Sequence, residues 1–266
     1  MKRLPWSAIT WALVWIGVAG CAAGPAREEA PRYVVSWPEA GRRQAVSVAE
    51  LESWGARTVT SAYFDRALGY RDSRFTALPF ETLLKRHDPG AADAVLLNCF
   101  DDYQGLIALE DIRRYRLMLA TRIHLQPGIR PPDWLNPLLI LVPDGSAAPF
   151  VERFLTANIR EVSFVNRDRY YAPLNAVVRR HPKTARGGKL YQDNCVYCHS
   201  LGGVGGNKGG PLPARFDFAR PEDRRRFERA FLAFHQNNPD KQNVAQFLPP
   251  GALEALADFL QRAAGS

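Results

Sequence analysis

Two thiols and an imidazole fall within one short stretch, Cys195-Val196-Tyr197-Cys198-His199. Thiols at this spacing lie about one helical turn apart. They can form thioethers with the two vinyl groups of a porphyrin while the adjacent imidazole swings under the iron as proximal ligand, which is the attachment signature of c-type haem. A thioredoxin-like CxxC would follow a strand in a βαβ setting, and zinc would need a second ligand pair at suitable spacing; the sequence offers neither context. Of the other cysteines, Cys99 stands alone in the apolar run Ala94-Val95-Leu96-Leu97-Asn98-Cys99-Phe100, where a free thiol behaves as a small buried hydrophobe. Cys21 has a different context, taken up below.

The elements that must hold the motif are legible around it. Gly187-Gly188-Lys189-Leu190-Tyr191-Gln192-Asp193-Asn194 predicts a helix running into the signature, and Leu253, Leu256 and Leu260 predict a one-sided terminal helix preceded by Pro249 and Pro250. With Gly209-Gly210-Pro211-Leu212 downstream of His199, residues 187–266 resemble a small monohaem cytochrome c domain. The resemblance implies an all-α fold in which the first and last helices cross, with Tyr191 and Phe259 in aromatic packing positions. It also implies that the carbonyl of Pro211 accepts a hydrogen bond from His199 and fixes its ring.

Most members of that family supply a methionine as the sixth ligand, yet the methionines of this chain are Met1 and Met118, both outside the haem region, and the corresponding segment reads Val244-Ala245-Gln246-Phe247. A lower-potential or partly open iron is therefore expected. The candidate replacement is His235, one turn before the Asn238-Pro239 pair that ends the distal helix in the family. The alternatives are a pocket histidine that does not ligate, leaving five-coordinate iron, or recruitment of Lys241. His181, before a proline in a basic stretch, reads as solvated. Arg224-Arg225-Arg226 with Arg229 reads as a solvated helix face, or else as a docking patch for an acidic redox partner, where charge raises association rate more than affinity.

The first half carries a mixed pattern of helix and strand. Leu78–Leu84 begins a helix, Ala94–Phe100 and Leu106–Leu109 read as strands around an Asp101-Asp102-Tyr103 turn, and Pro137–Pro143 and Ile159–Val165 read as further strands. The class is α+β. The order of these short motifs resembles the molybdopterin-binding domain of the sulfite-oxidase type. That family's molybdenum thiolate has no counterpart in Thr58–Thr76, and Trp134 and Leu139 stand where its histidine and arginine would meet anionic cofactor groups. A scaffold that has lost the cofactor and serves as a docking or assembly module is the preferred expectation, with molybdopterin bound through Cys99 as the alternative. Tyr63, Tyr70 and Tyr103 either line a vestigial cleft or belong to the core.

The whole chain has 266 residues, 46% of them hydrophobic and 23% charged, so it is expected to fold. Its formal charge of +8, trimmed by two once Lys2 and Arg3 are removed, suits an acidic protein surface and gives no ground for nucleic-acid binding. Lys2-Arg3, the apolar run Ile9–Val18 and Gly20-Cys21 read as an export signal. Val18-Ala19-Gly20-Cys21 resembles the lipobox of bacterial lipoproteins, which implies diacylglyceryl attachment at Cys21 and an envelope location facing the periplasm. Ala22, in place of an aspartate, favours the outer over the inner membrane.

The expected organisation is a signal over 1–20, a tether over 21–31, a molybdopterin-binding-like α+β domain over 32–165, a basic linker over 166–186 and an all-α cytochrome c domain over 187–266. The expected activity is single-electron transfer through one haem c; the expected partners are membrane lipid, through the anchor at Cys21, and a redox protein or a respiratory or photosynthetic complex. A molybdenum oxidoreductase feeding its own haem, and a haem-based gas sensor, are the rival readings.

Overall fold

The computed structural model describes residues 32–265 apart from 239 and 241, so the export signal, Cys21, the tether and Lys241 lie outside the described residues. In chain order the strands are β1 (Arg32–Trp37), β2 (Arg42–Ser47), β3 (Arg57–Thr60), β4 (Arg74–Pro79), β5 (Ala94–Cys99), β6 (Gln104–Ala108), β7 (Met118–His124), β8 (Leu139–Leu141) and β9 (Ile159–Val165). They form two sheets, ordered β2-β1-β9-β5-β6 and β3-β4-β7-β8. In the first, β1 pairs parallel with β9, while the β1–β2, β5–β9 and β5–β6 pairs are antiparallel. Four short helices decorate this half: α1 (Val48–Ser53), α2 (Ala62–Leu68), α3 (Phe80–Arg86) and α4 (Leu109–Arg114). Among the described residues everything after β9 is helical or irregular apart from a bridge between Leu201 and Val204, so the protein is α+β in class.

The five-stranded sheet explains why Ala94–Leu97 is apolar without a break. Successive side chains of a strand point to opposite faces, so a continuous apolar run requires both faces to be covered. Val95, Leu97 and Cys99 enter the core of the first half together with Ile107, Val162 and Phe164. Ala94 and Leu96, with Leu106 and Val165, face the other way and pack against Tyr171, Leu174, Tyr197 and other residues of the helical half. The two halves thus share one sheet, and the described residues form a single compact unit.

The stretch 166–186, expected as a linker with little periodicity, is helical. It forms α5 (Arg167–Tyr170) and α6 (Ala172–Arg180), with Pro173 in the first turn of α6, where its missing N–H leaves no bond unmade. Leu174 and Val177, three residues apart, are the buried positions of α6, and the exposed arginines around them hide so narrow a stripe in the sequence.

The remaining helices are α7 (Ala185–Asn194), α8 (Pro221–His235) and α9 (Ala252–Ala264). Helices α7 and α9 cross as expected, with the fully buried Tyr191 and Phe259 rings 5.6 Å apart and tilted by 43°. Gly187 sets the closeness of that crossing, because a Cβ there would overlap the carbonyl of Ala255 and the Cβ of Phe259. Gly187→Val is accordingly expected to destabilise the fold by about 2–3 kcal/mol through overpacking, read as a lowered urea midpoint with an unchanged slope. A midpoint equal to the wild type would show that the crossing is looser than described.

Candidate functional site

The C-terminal end of α7 carries the CxxCH motif. Cys195 caps the helix with its N–H on Tyr191 O (3.0 Å), and the turn continues through Cys198 N–H and His199 N–H, which donate to Cys195 O at 3.1 and 2.9 Å. The Tyr191 hydroxyl donates to His199 O and pins the end of the motif to the helix that precedes it. Cys195 and Cys198 are not joined to each other. Burial pushes the Cys195 thiol up to about 12 and the Cys198 thiol higher still. That is the reverse of the depressed thiol that makes a redox CxxC reactive.

His199 is held from two sides. Its Nδ1 lies 2.8 Å from Gly210 O, and since a carbonyl only accepts, Nδ1 carries the proton and donates, leaving the Nε2 lone pair free. Gly209 lies against the ring so closely that a Cβ would collide with it. The acceptor was expected to be the carbonyl of Pro211. It is that of Gly210, one residue earlier: Gly209 N–H donates to Cys198 O at 2.7 Å and brings the following carbonyl to the imidazole.

His235 occupies the last turn of α8, and its Nδ1 donates to Gln242 O at 3.3 Å, leaving its Nε2 free as well. The two imidazoles face one another with ring centroids 6.4 Å apart and planes at 84°. Metal–imidazole bonds are about 2 Å long and ring nitrogens lie about 1 Å from the ring centre, so two imidazoles on opposite sides of one metal have centroids about 6 Å apart. The observed pair matches that separation. Burial lowers the pKa of both rings, which favours the neutral, ligating form. Among the described residues no three His, Cys, Asp or Glu side chains converge as a metal-ion cluster.

Beside the pair lies a small cavity of about 70 Å³ whose lining includes Cys198, Lys208 and His235 from the helical half and Tyr103, Trp134 and Glu152 from the first half. Trp134 Nε1–H donates to Asp240 O at 2.9 Å, Lys208 pairs with Asp101 at 2.6 Å, and Phe150 packs on Phe247 at 4.8 Å. The first half therefore walls the cavity beside the CxxCH turn. Glu152 and Lys208 were not singled out in the sequence; a carboxylate set in the apolar stretch Phe150-Val151-Glu152-Arg153-Phe154-Leu155 was the available signal.

The other singled-out residues take structural places. Cys99 is 1% exposed in the core of the first half, its thiol pushed up by burial. Leu139 is sealed in β8, and Tyr63 donates to Val151 O at 2.6 Å inside the packing of its own half. A molybdopterin would need a thiolate and an anion-binding side chain at these places, and a buried thiol and a core leucine supply neither. Arg224 is tied to Asp258 and to Phe218 O, and Arg226 to Asp223, whereas Arg225 and Arg229 are exposed. No protein-family model matches the chain, and no curated protein does.

Proposed function

We propose that the chain is a membrane-anchored c-type cytochrome that passes single electrons through one covalently attached haem. The observation that carries this reading is the pair of facing imidazoles, each with Nδ1 spent on a backbone carbonyl, placed beside two thiols at the attachment spacing. In this reading Cys195 and Cys198 hold the haem as thioethers, His199 is the proximal ligand oriented by Gly210, and His235 is the distal one. The haem supplies the one-electron couple. Two imidazoles in place of an imidazole and a thioether favour a low potential.

The residues after β9 then constitute an all-α cytochrome c fold, and the residues before it a relative of the molybdopterin-binding scaffold retained as cavity wall and docking or assembly module. For the partner, α8 presents exposed Arg225 and Arg229 with Leu232 (40% exposed) and Phe234 (52% exposed) close to His235. A basic rim with apolar contacts suits the acidic surface of a redox protein or of a respiratory or photosynthetic complex. The lipid anchor at Cys21 and the periplasm-facing, outer-membrane location rest on the sequence of residues 1–22.

Spectra of both oxidation states, with metal analysis, test the reading on protein extracted from membranes. The expected result is a c-type haem with one iron per chain, no molybdenum, and a six-coordinate ferrous spectrum indifferent to carbon monoxide. Near-stoichiometric molybdenum would overturn it in favour of an oxidoreductase, and prompt carbon monoxide binding by the wild type would favour a gas sensor.

A further inference from the structure

Glu152 opens a short 3-10 turn (Glu152–Leu155) in the first half of the chain and faces the same cavity as Cys198 and His235. Its two carboxylate oxygens lie 2.8 and 2.7 Å from the Tyr103 hydroxyl, which donates to them. Tyr103 in turn stacks on Tyr197, inside the CxxCH motif itself, with centroids 5.8 Å apart at 29°. The charged neighbours are engaged elsewhere. Arg153 is directed to Asp111 and Asp193 at 3.2 and 3.4 Å, and Lys208 to Asp101. Among the described residues the carboxylate of Glu152 has no ion-pair partner, and its hydrogen bonds come from a neutral hydroxyl.

We propose, on the cytochrome reading above, that Glu152 is a proton-binding site coupled to the haem: when the iron takes one electron from a one-electron donor protein, the Glu152 carboxylate takes one proton from solvent. The charge balance is complete. The electron removes one positive charge from the cavity, the proton restores it, and oxidation reverses both steps. A half-buried carboxylate with no ion pair of its own is a group that such a change affects strongly, since charges in a poorly solvated cavity are weakly screened.

Burial pushes the Glu152 carboxyl up to about 7, against the opposing pull of the Tyr103 hydrogen bond and the Lys208 charge, so the coupling falls near neutral pH. The other titratable groups turned toward it are Tyr103, whose hydroxyl burial keeps protonated, and Asp101, paired with Lys208. From α8 the cavity receives His235, whose Nδ1 is held on Gln242 O, and from α7 Asp193 faces Arg153. Ferric iron holds the carboxyl pKa lower and ferrous iron lets it rise. The midpoint potential must therefore fall as pH rises between those two values and level off on either side.

Potentiometric titration of the purified holoprotein across neutral pH tests this. The wild type is expected to lose potential with pH, approaching about 59 mV per tenfold change in proton activity, the one-electron limit. Glu152→Gln is expected to flatten the dependence, and Tyr103→Phe, which removes the bond that favours the ionised form, to move it to higher pH. A flat wild-type profile overturns the proposal, and so does an unchanged slope in Glu152→Gln. Should the Gln variant fail to mature, redox-difference infrared spectra of the wild type decide: a protonated-carboxyl band must appear on reduction, and its absence overturns the proposal. A colourless polypeptide would defeat the cytochrome reading itself, before any titration begins.

Discussion

Replacing Cys195 and Cys198 together with alanine is expected to give a polypeptide that retains no haem after denaturation, whereas the wild type stays coloured. The measurement is haem staining of a denaturing gel after expression with a working maturation system. Each single variant keeps one thioether and should stain more weakly with an altered absorption maximum. The change should also reach the fold. With the tethers gone, haem becomes an ordinary dissociable ligand, and a ligand bound at a thousand times its dissociation constant contributes only about 4 kcal/mol. On the cytochrome reading, the helical half then loses much of what fills its interior. A loss of about 3 kcal/mol would lower the Tm of a chain this long by roughly 6–12 °C. A double variant that stained like the wild type would remove the thioether chemistry from consideration.

His235→Ala is expected to leave attachment intact and to change coordination. Cys195, Cys198 and His199 lie on a different element and keep their own backbone bonds, so the protein should still be coloured. Loss of the distal imidazole should convert the ferric spectrum from low to high spin and open the ferrous iron to carbon monoxide. If the imidazole holds the iron by about 2.8 kcal/mol, the open form is about 1% populated in the wild type and apparent carbon monoxide affinity rises about a hundredfold on its removal. His235→Met gives a second reading, because a thioether in the same place should raise the potential. Unchanged spectra in His235→Ala would assign the sixth position to another group.

The elements that could be read ahead of the structure are those whose signal is local. Strand β9 was expected at Ile159–Val165 and lies there; β5 and α9 match the apolar run and the one-sided stripe that announced them. In contrast, β1, β4 and β7 passed unnoticed. Their residues belong to strands because of what pairs with them: β4 lies between β3 and β7, and β1 takes β9 as a parallel neighbour from the far end of the first half. Cross-strand partners so distant in sequence leave little trace in either segment alone. The shift from Pro211 to Gly210 as acceptor has a similar origin, since which carbonyl meets His199 depends on how closely Gly209 approaches Cys198.

The attachment and ligation proposed for Cys195, Cys198 and His199 could be read from the residue types, because neighbours along a turn are brought together by the backbone whatever else the chain does. That His235 stands opposite His199 was only an expectation until α8 was seen to end there, and nothing local could announce that Glu152 would look into the same cavity from the other half. A pattern of apolar spacing says which face of an element is buried, not against what. The partner is chosen when the five-stranded sheet takes the helical half on its second face, and that packing decides which imidazole, which carboxylate and which cavity come together.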